Sequence, residues 1–225
     1  VRTSLPNSEE ARRAYAEGLD ALSRSEARTA RDRFEYTIAH EPEFAHAHIQ
    51  LSFVYALLGF DAQARTQATA ALELPGSMPS DERRWIEALH HEMHKDWARA
   101  IAQYKGLSDE FPDEPEYALR LAHSQINGGR VEDAKVTIDR LKRIGGSEHP
   151  DPLILLGEAD GAQAQGDAKR QAEVSLAAIQ AAEARGAPLL LARACLLNAS
   201  ALETLEDRDA AMRMNERARH LYQQA

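Results

Sequence analysis

Residues Ala11–Leu74 read ARRAYAEGLDALSRSEARTARDRFEYTIAHEPEFAHAHIQLSFVYALLGFDAQARTQATAALEL, and the stretch contains one short unit twice. Placing Ala11 over Ala45 sets Ala30 on Ala64, Arg31 on Arg65, Ile38 on Leu72 and Gly18 on Ser52, an offset of 34 residues. Each copy has the apolar spacing of two helices separated by a tight turn. The small residues sit where two helices must approach closely. The larger ones, Phe34, Leu51 and Tyr55, sit where one helical pair must cover the next. A recurring period of this length is the signature of a stacked repeat, whose core grows with each copy.

The 225-residue composition agrees. Hydrophobic residues make up 44%, charged residues 28% and aromatics only 6%, with abundant alanine, which favours closely packed helices over a sheet core. The formal charge of −9 argues against a nucleic-acid-binding role, where a basic face is the expected footprint. One cysteine, Cys195, excludes an internal disulfide framework, and its leucine and alanine neighbours mark it as a small packing residue. No apolar run is long enough to cross a bilayer, and Val1 is followed by no signal-like segment. The expected compartment is therefore cytoplasmic or periplasmic, for a fragment whose membrane anchor or effector domain would lie upstream.

Taken in order, the chain divides into six hairpins: 8–41, 45–74, 80–110, 114–144, 151–185 and 188–224. Asn7 and Glu10 have capping-box spacing at the first helix, and Ser80 is the expected cap of the fifth. Glu114-Pro115 and Asp151-Pro152 place proline at a first helical position, where the missing amide costs nothing. Gly59, Gly129 and Gly166 are the expected intra-hairpin turns, while Glu206 stands where a glycine is due. Pro75–Ser80 shifts the third hairpin by two residues, and Gly145–Pro150 is the expected bend. Gln171 and Ser175 occupy positions where small and bulky packing residues are expected. An atypical, polar last hairpin is what the end of a solenoid requires.

The second-helix pattern carried by Ala30, Phe34, Thr37 and Pro42, and again by Ala100, Tyr104, Leu107 and Pro112, resembles the tetratricopeptide repeat family, together with Leu51, Tyr55, Gly59 and Ala64. The resemblance covers about Ser8 to Gln224. It implies an all-α, right-handed superhelical solenoid of six helix-turn-helix hairpins forming a single domain. Narrower segments, among them Tyr15–Leu19, Glu82–Ala88, Asp96-Trp97 and Phe111–Asp113, look like the repeat regions of bacterial signalling proteins that follow a kinase, cyclase or winged-helix domain.

In that family the first helix of each hairpin lines a concave groove. Carried onto this sequence, the groove positions are Tyr15, Leu19 and Leu22, then Ile49, Phe53 and Leu57, then Trp85, Leu89 and Met93, with Leu119, His123, Ile126 and Asn127 beyond. The resemblance implies a non-catalytic module that binds an apolar or amphipathic peptide or protein segment. The Lys/Asn/Arg clamp with which some relatives grip an acidic tail is missing. Two readings of the stripe stand side by side: a contiguous apolar patch that engages a partner, or side chains that superhelical curvature buries against each other. A structural role as homodimer or spacer is the alternative function. His90 and His94 lie four apart with Glu87 nearby, but His91-Glu92-Met93-His94 lacks metalloprotease spacing, and His91 occupies the packing position of Tyr55. No metal, cofactor or catalytic constellation is expected.

Overall fold

Each intra-hairpin turn is closed by the same backbone device. The amide three residues past the end of the first helix donates five residues back, as in Glu26 to Ala21, Phe60 to Tyr55, Asp96 to His91, Arg130 to Gln125, Asp167 to Ala162 and Asp207 to Leu202. This is the Schellman closure, which forces the residue before that donor into the left-handed region. Gly59, Gly129 and Gly166 sit there with φ of 79°, 75° and 73°, and the same conformation is imposed on Lys95 (59°) and Glu206 (65°). Three of these turns then start the next helix at once. Asp96, Asp167 and Asp207 accept the amides of Arg99, Arg170 and Ala210.

The computed structural model describes residues 5–24, 26–74, 79–145 and 151–224. The described residues form twelve α-helices and no strand: α1 Glu9–Ser23, α2 Ala27–His40, α3 Ala45–Leu57, α4 Asp61–Glu73, α5 Ser80–Met93, α6 Trp97–Glu110, α7 Pro115–Asn127, α8 Val131–Gly145, α9 Pro152–Ala164, α10 Ala168–Ala184, α11 Pro188–Thr204 and α12 Arg208–Gln224. These are the six expected hairpins. The chain divides into two compact units, residues 1–111 and 112–225, of three hairpins each. The expected shift at 75–78 and the expected bend at 146–150 lie outside the described residues.

In the first unit the helices of a hairpin meet at their small residues. Gly18 has no room for a side chain, since a Cβ there would lie 2.6 Å from Cε1 of the buried Phe34. Its counterpart Ser52 fits because its hydroxyl donates to the Ala64 carbonyl at 2.8 Å. Ala30, Ala64 and Ala100 are buried at the facing positions. Around them Tyr15, Phe34, Phe44, Leu51 and Val54 form one core cluster spanning the first two hairpins.

The second unit begins with the same solution. Ala118, Ala122, Ile138, Leu141 and Ile154 cluster between α7, α8 and α9. Between α10 and α11 the solution changes. The Gln171 amide donates to the Leu197 carbonyl at 2.9 Å, the Ser175 hydroxyl donates to the Gln171 carbonyl at 2.6 Å, and Asn198 donates to Ser175 Oγ and the Ala172 carbonyl, each at 3.0 Å. The residues that depart from the repeat pattern are thus a buried polar network whose members satisfy one another.

Two caps differ from expectation. Ser8, not Asn7, caps α1, accepting the Ala11 amide at 3.1 Å. The Asn7 and Ser8 amides instead donate to the carboxylate of Glu41 at the end of α2. Partial burial works to raise the Glu41 pKa, but these amide bonds outweigh it and hold it below the usual carboxylate range. Ser80 is the first helical residue of α5 rather than its cap, and Pro79 precedes it without a side-chain bond. Pro115 and Pro152 do occupy first-turn positions, and Asp151 caps α9 by accepting the Leu153 amide at 2.8 Å.

Two stability predictions follow from these contacts. A side chain in the left-handed region costs about 1 kcal/mol that glycine avoids, so Glu206→Gly and Lys95→Gly should each raise the stability measured by denaturant unfolding, and Gly129→Ala should lower it. Gly18→Ala must displace the packed Phe34 ring and should destabilise by about 1–3 kcal/mol, whereas Gly106→Ala, at a helical glycine where a Cβ meets nothing within 4 Å, should stabilise. Equal effects at Gly18 and Gly106 would show that the close approach is not what selects glycine.

Candidate functional site

The residues expected to line a groove fall into two groups. Tyr15, Ile49, Trp85 and Leu89 are buried, and Phe53 retains 9% of its surface. Leu19 and Leu57 are 39% and 54% exposed, and Met93 is half-buried. His123, on α7 in the second unit, is half-buried as well. On the first unit the face of α1, α3 and α5 therefore has a buried floor and a few accessible apolar side chains.

What buries the floor is a run of rings passing from hairpin to hairpin. Phe34 of α2 packs on Tyr15 of α1 (centroids 5.7 Å), and Tyr15 meets Phe44 edge-on at 5.0 Å. Phe44, just before α3, stacks on His46 at 5.6 Å, and His46 lies 6.2 Å from Trp85 of α5. Offset and edge-on ring pairs at these distances add to the area that they bury. Tyr15 and Trp85 thus tie the first three hairpins together.

The polar groups on this floor were not singled out in the sequence. His46 is 1% exposed and Glu82 7% exposed, with His46 Nδ1 at 3.3 Å from Glu82 Oε1. Neither ring nitrogen of His46 makes a hydrogen bond among the described residues, and Trp85 Nε1 is likewise buried without one. Burial depresses the His46 pKa to about 4 and raises that of Glu82, to which the neighbouring Asp81 charge adds. His46 and Glu82 occupy equivalent places, thirteen residues before Gly59 and Lys95. That register is the signal that would have found them. His48 is also buried, but its ring nitrogens have partners: Nε2 lies 2.8 Å from the Pro42 carbonyl oxygen and Nδ1 2.7 Å from Gln67 Oε1.

The histidines at the C-terminal end of α5 pack on one another. His90 and His94 stack with centroids 4.2 Å apart, His94 Nδ1 donates to the His90 carbonyl at 2.9 Å, and His91 Nδ1 lies 3.7 Å from Asp96 Oδ2. Among the described residues no group of three or more histidines, cysteines or acids is placed to hold a metal ion. Cys195 is fully buried, and burial pushes its thiol pKa up, away from the thiolate that reacts. No described helix is long and apolar enough to cross a membrane.

In the second unit, Asp160 of α9 accepts from Arg193 of α11 at 2.5 Å. Burial raises the Asp160 pKa more than Arg193 and His123 lower it. Gln163 donates to Ser200 at 3.1 Å along the same pair of helices. A cleft of about 630 Å³ lies on the last hairpin, lined by Glu203, Arg208, Met212, Asn215, Glu216 and Arg219. The sequence marked that hairpin only as polar.

Residues 93–157 match the family model described as tetratricopeptide repeat. No match was found among curated proteins. Solved structures that resemble the chain include PilW, a widely conserved type IV pilus biogenesis factor (14% identity, TM-score 0.57, 97% of this chain on 96% of that one), and BtubC from P. vanneervenii (14%, 0.55, 96% on 92%). The APC/C hetero-tetramer Cut9–Hcn1 also matches (16%, 0.54), covering 93% of this chain, which spans 43% of the matched chain's length. At these identities the likeness is one of fold. Residues 93–157 thus carry the tetratricopeptide repeat, and the paired helices of the described residues share the all-α repeat fold of the structures that they resemble.

Proposed function

We propose that the chain is a non-catalytic interaction module that binds an apolar or amphipathic protein segment on the α1–α3–α5 face of its first unit. Tetratricopeptide-repeat folds mediate protein–protein interaction, which is the coarse part of this reading. The observation that carries the finer part is that Leu19 and Leu57 are exposed and Met93 half-buried on the same three helices whose Tyr15, Ile49, Phe53, Trp85 and Leu89 are buried. Accessible apolar side chains on a rigid floor bind with little ordering cost. The net charge of −9 favours a protein ligand over nucleic acid. His123 would contact a ligand only on the second unit. As in the bacterial proteins that its segments resemble, the module would serve as the sensory or scaffolding part of a larger signalling protein.

The roles of the two groups of residues predict different phenotypes. Peptides selected from a displayed random library should be apolar or amphipathic. Leu19→Glu with Leu57→Glu should weaken their binding at least tenfold while leaving the melting temperature nearly unchanged. Trp85→Ala should instead destabilise by about 3–5 kcal/mol, the usual cost of emptying a buried aromatic site. Light scattering on the same samples reads out the alternative, in which a second copy of the chain covers this face. Undiminished peptide binding by the double variant would refute the assignment.

A further inference from the structure

We propose that His46 and Glu82 form a proton-operated joint between the second and third hairpins, closed while the pair carries at most one proton and opened by a second. The geometry is specific. The two side chains are almost completely buried, 3.3 Å apart, and belong to different hairpins. Rings of Phe44 and Trp85 flank the imidazole, and no other hydrogen-bonding group among the described residues reaches either of its nitrogens. An imidazolium formed here would have only Glu82 to offset its charge.

Helix ends add to this asymmetry. Glu82 is in the first turn of α5, where the helix dipole favours a carboxylate. His46 is in the first turn of α3, where the same dipole disfavours a cation. The surrounding charged groups do not compensate. From α5, Asp81 acts on Glu82 rather than on His46. From α3, His48 is engaged by Gln67 of α4 and the Pro42 carbonyl, and Glu41 at the end of α2 is occupied by the Asn7 and Ser8 amides.

As pH falls, Glu82 takes the first proton, because its pKa is raised, and the pair becomes neutral. The second proton goes to His46 near pH 4 and leaves a net positive charge in an apolar site. An opened joint returns His46 to water, where its pKa is about 6.5. The open form therefore binds protons more tightly than the closed one between pH 6.5 and 4, so acid drives opening across that window. Glu82 works in the opposite sense, since its raised pKa makes the closed form bind its proton more tightly. Replacing it isolates the histidine contribution, which is about 300-fold for a pKa difference of 2.5 between open and closed forms.

Trp85 is the reporter, because a protonated imidazole beside an indole quenches its emission. In a Trp97→Phe background, Trp85 emission should titrate near pH 4 while far-UV circular dichroism stays helical. Glu82→Gln should keep the transition, and His46→Phe, which preserves the ring stacking, should abolish it. Amide exchange of the Glu82→Gln variant, corrected for intrinsic rates, should show α3 and α5 opening up to about 300-fold more at pH 4 than at pH 6.5, with α11 as the internal reference. Emission that is flat from pH 7 to 3.5, a transition that survives His46→Phe, or exchange in α3 and α5 that rises no more than in α11 would each overturn the proposal.

Discussion

Two helices of a hairpin approach only as closely as their smallest facing residues allow, and the rest of this structure depends on that limit. The six first helices place Gly18, Ser52, Ala88, Ala122, Ala159 and Ala199 at the contact, all buried. Ala30, Ala64, Ala100 and Ala134 face the first four of them. Near-touching backbones leave room for a turn of minimal length, which is why one left-handed residue and one Schellman closure recur. With the turn fixed, the remaining large side chains have nowhere to go but the next hairpin. The aromatic run from Phe34 to Trp85 follows from the alanines.

The helices were legible because their signals are local. Period, turn glycines and helix-start prolines predict helix bounds to within one or two residues, and even Glu206 could be recognised as occupying a glycine's place. The missed caps show where local signals stop. Asn7 has the right spacing to Glu10, yet Glu41, 34 residues away, supplies a carboxylate that takes the Asn7 and Ser8 amides. A capping box read from spacing cannot register a competitor that arrives only on folding.

The candidate face was less legible for a related reason. A helix in a repeat array can be covered from its own hairpin, from the one before and from the one after, so apolar periodicity marks what is buried without saying by what. The clue lay in α3, AHAHIQLSFVYAL, where apolar residues surround the axis and even His46 and His48 are buried. A helix apolar on every side is covered on every side. Tyr15 and Trp85 therefore spend their surface on stacking, and a ligand meets only what protrudes past them. In the proposed reading, binding and cohesion fall to different side chains of one face. On that reading, changes at the exposed Leu19 and Leu57 would alter partner preference without disturbing the array.

The polar contact between α10 and α11 extends the argument to register. An alanine-lined interface gains nearly the same burial in several longitudinal positions, because small apolar surfaces interlock weakly. Gln171, Ser175 and Asn198 remove that freedom. A slip of one helical turn, about 5.4 Å, would carry the Gln171 amide away from the Leu197 carbonyl and the Asn198 amide away from Ser175. Each buried group left unmatched costs about 1–3 kcal/mol, so several lost together outweigh any compensating apolar contact. Where the repeat pattern is weakest in sequence, register is set by hydrogen bonds that only one alignment can make.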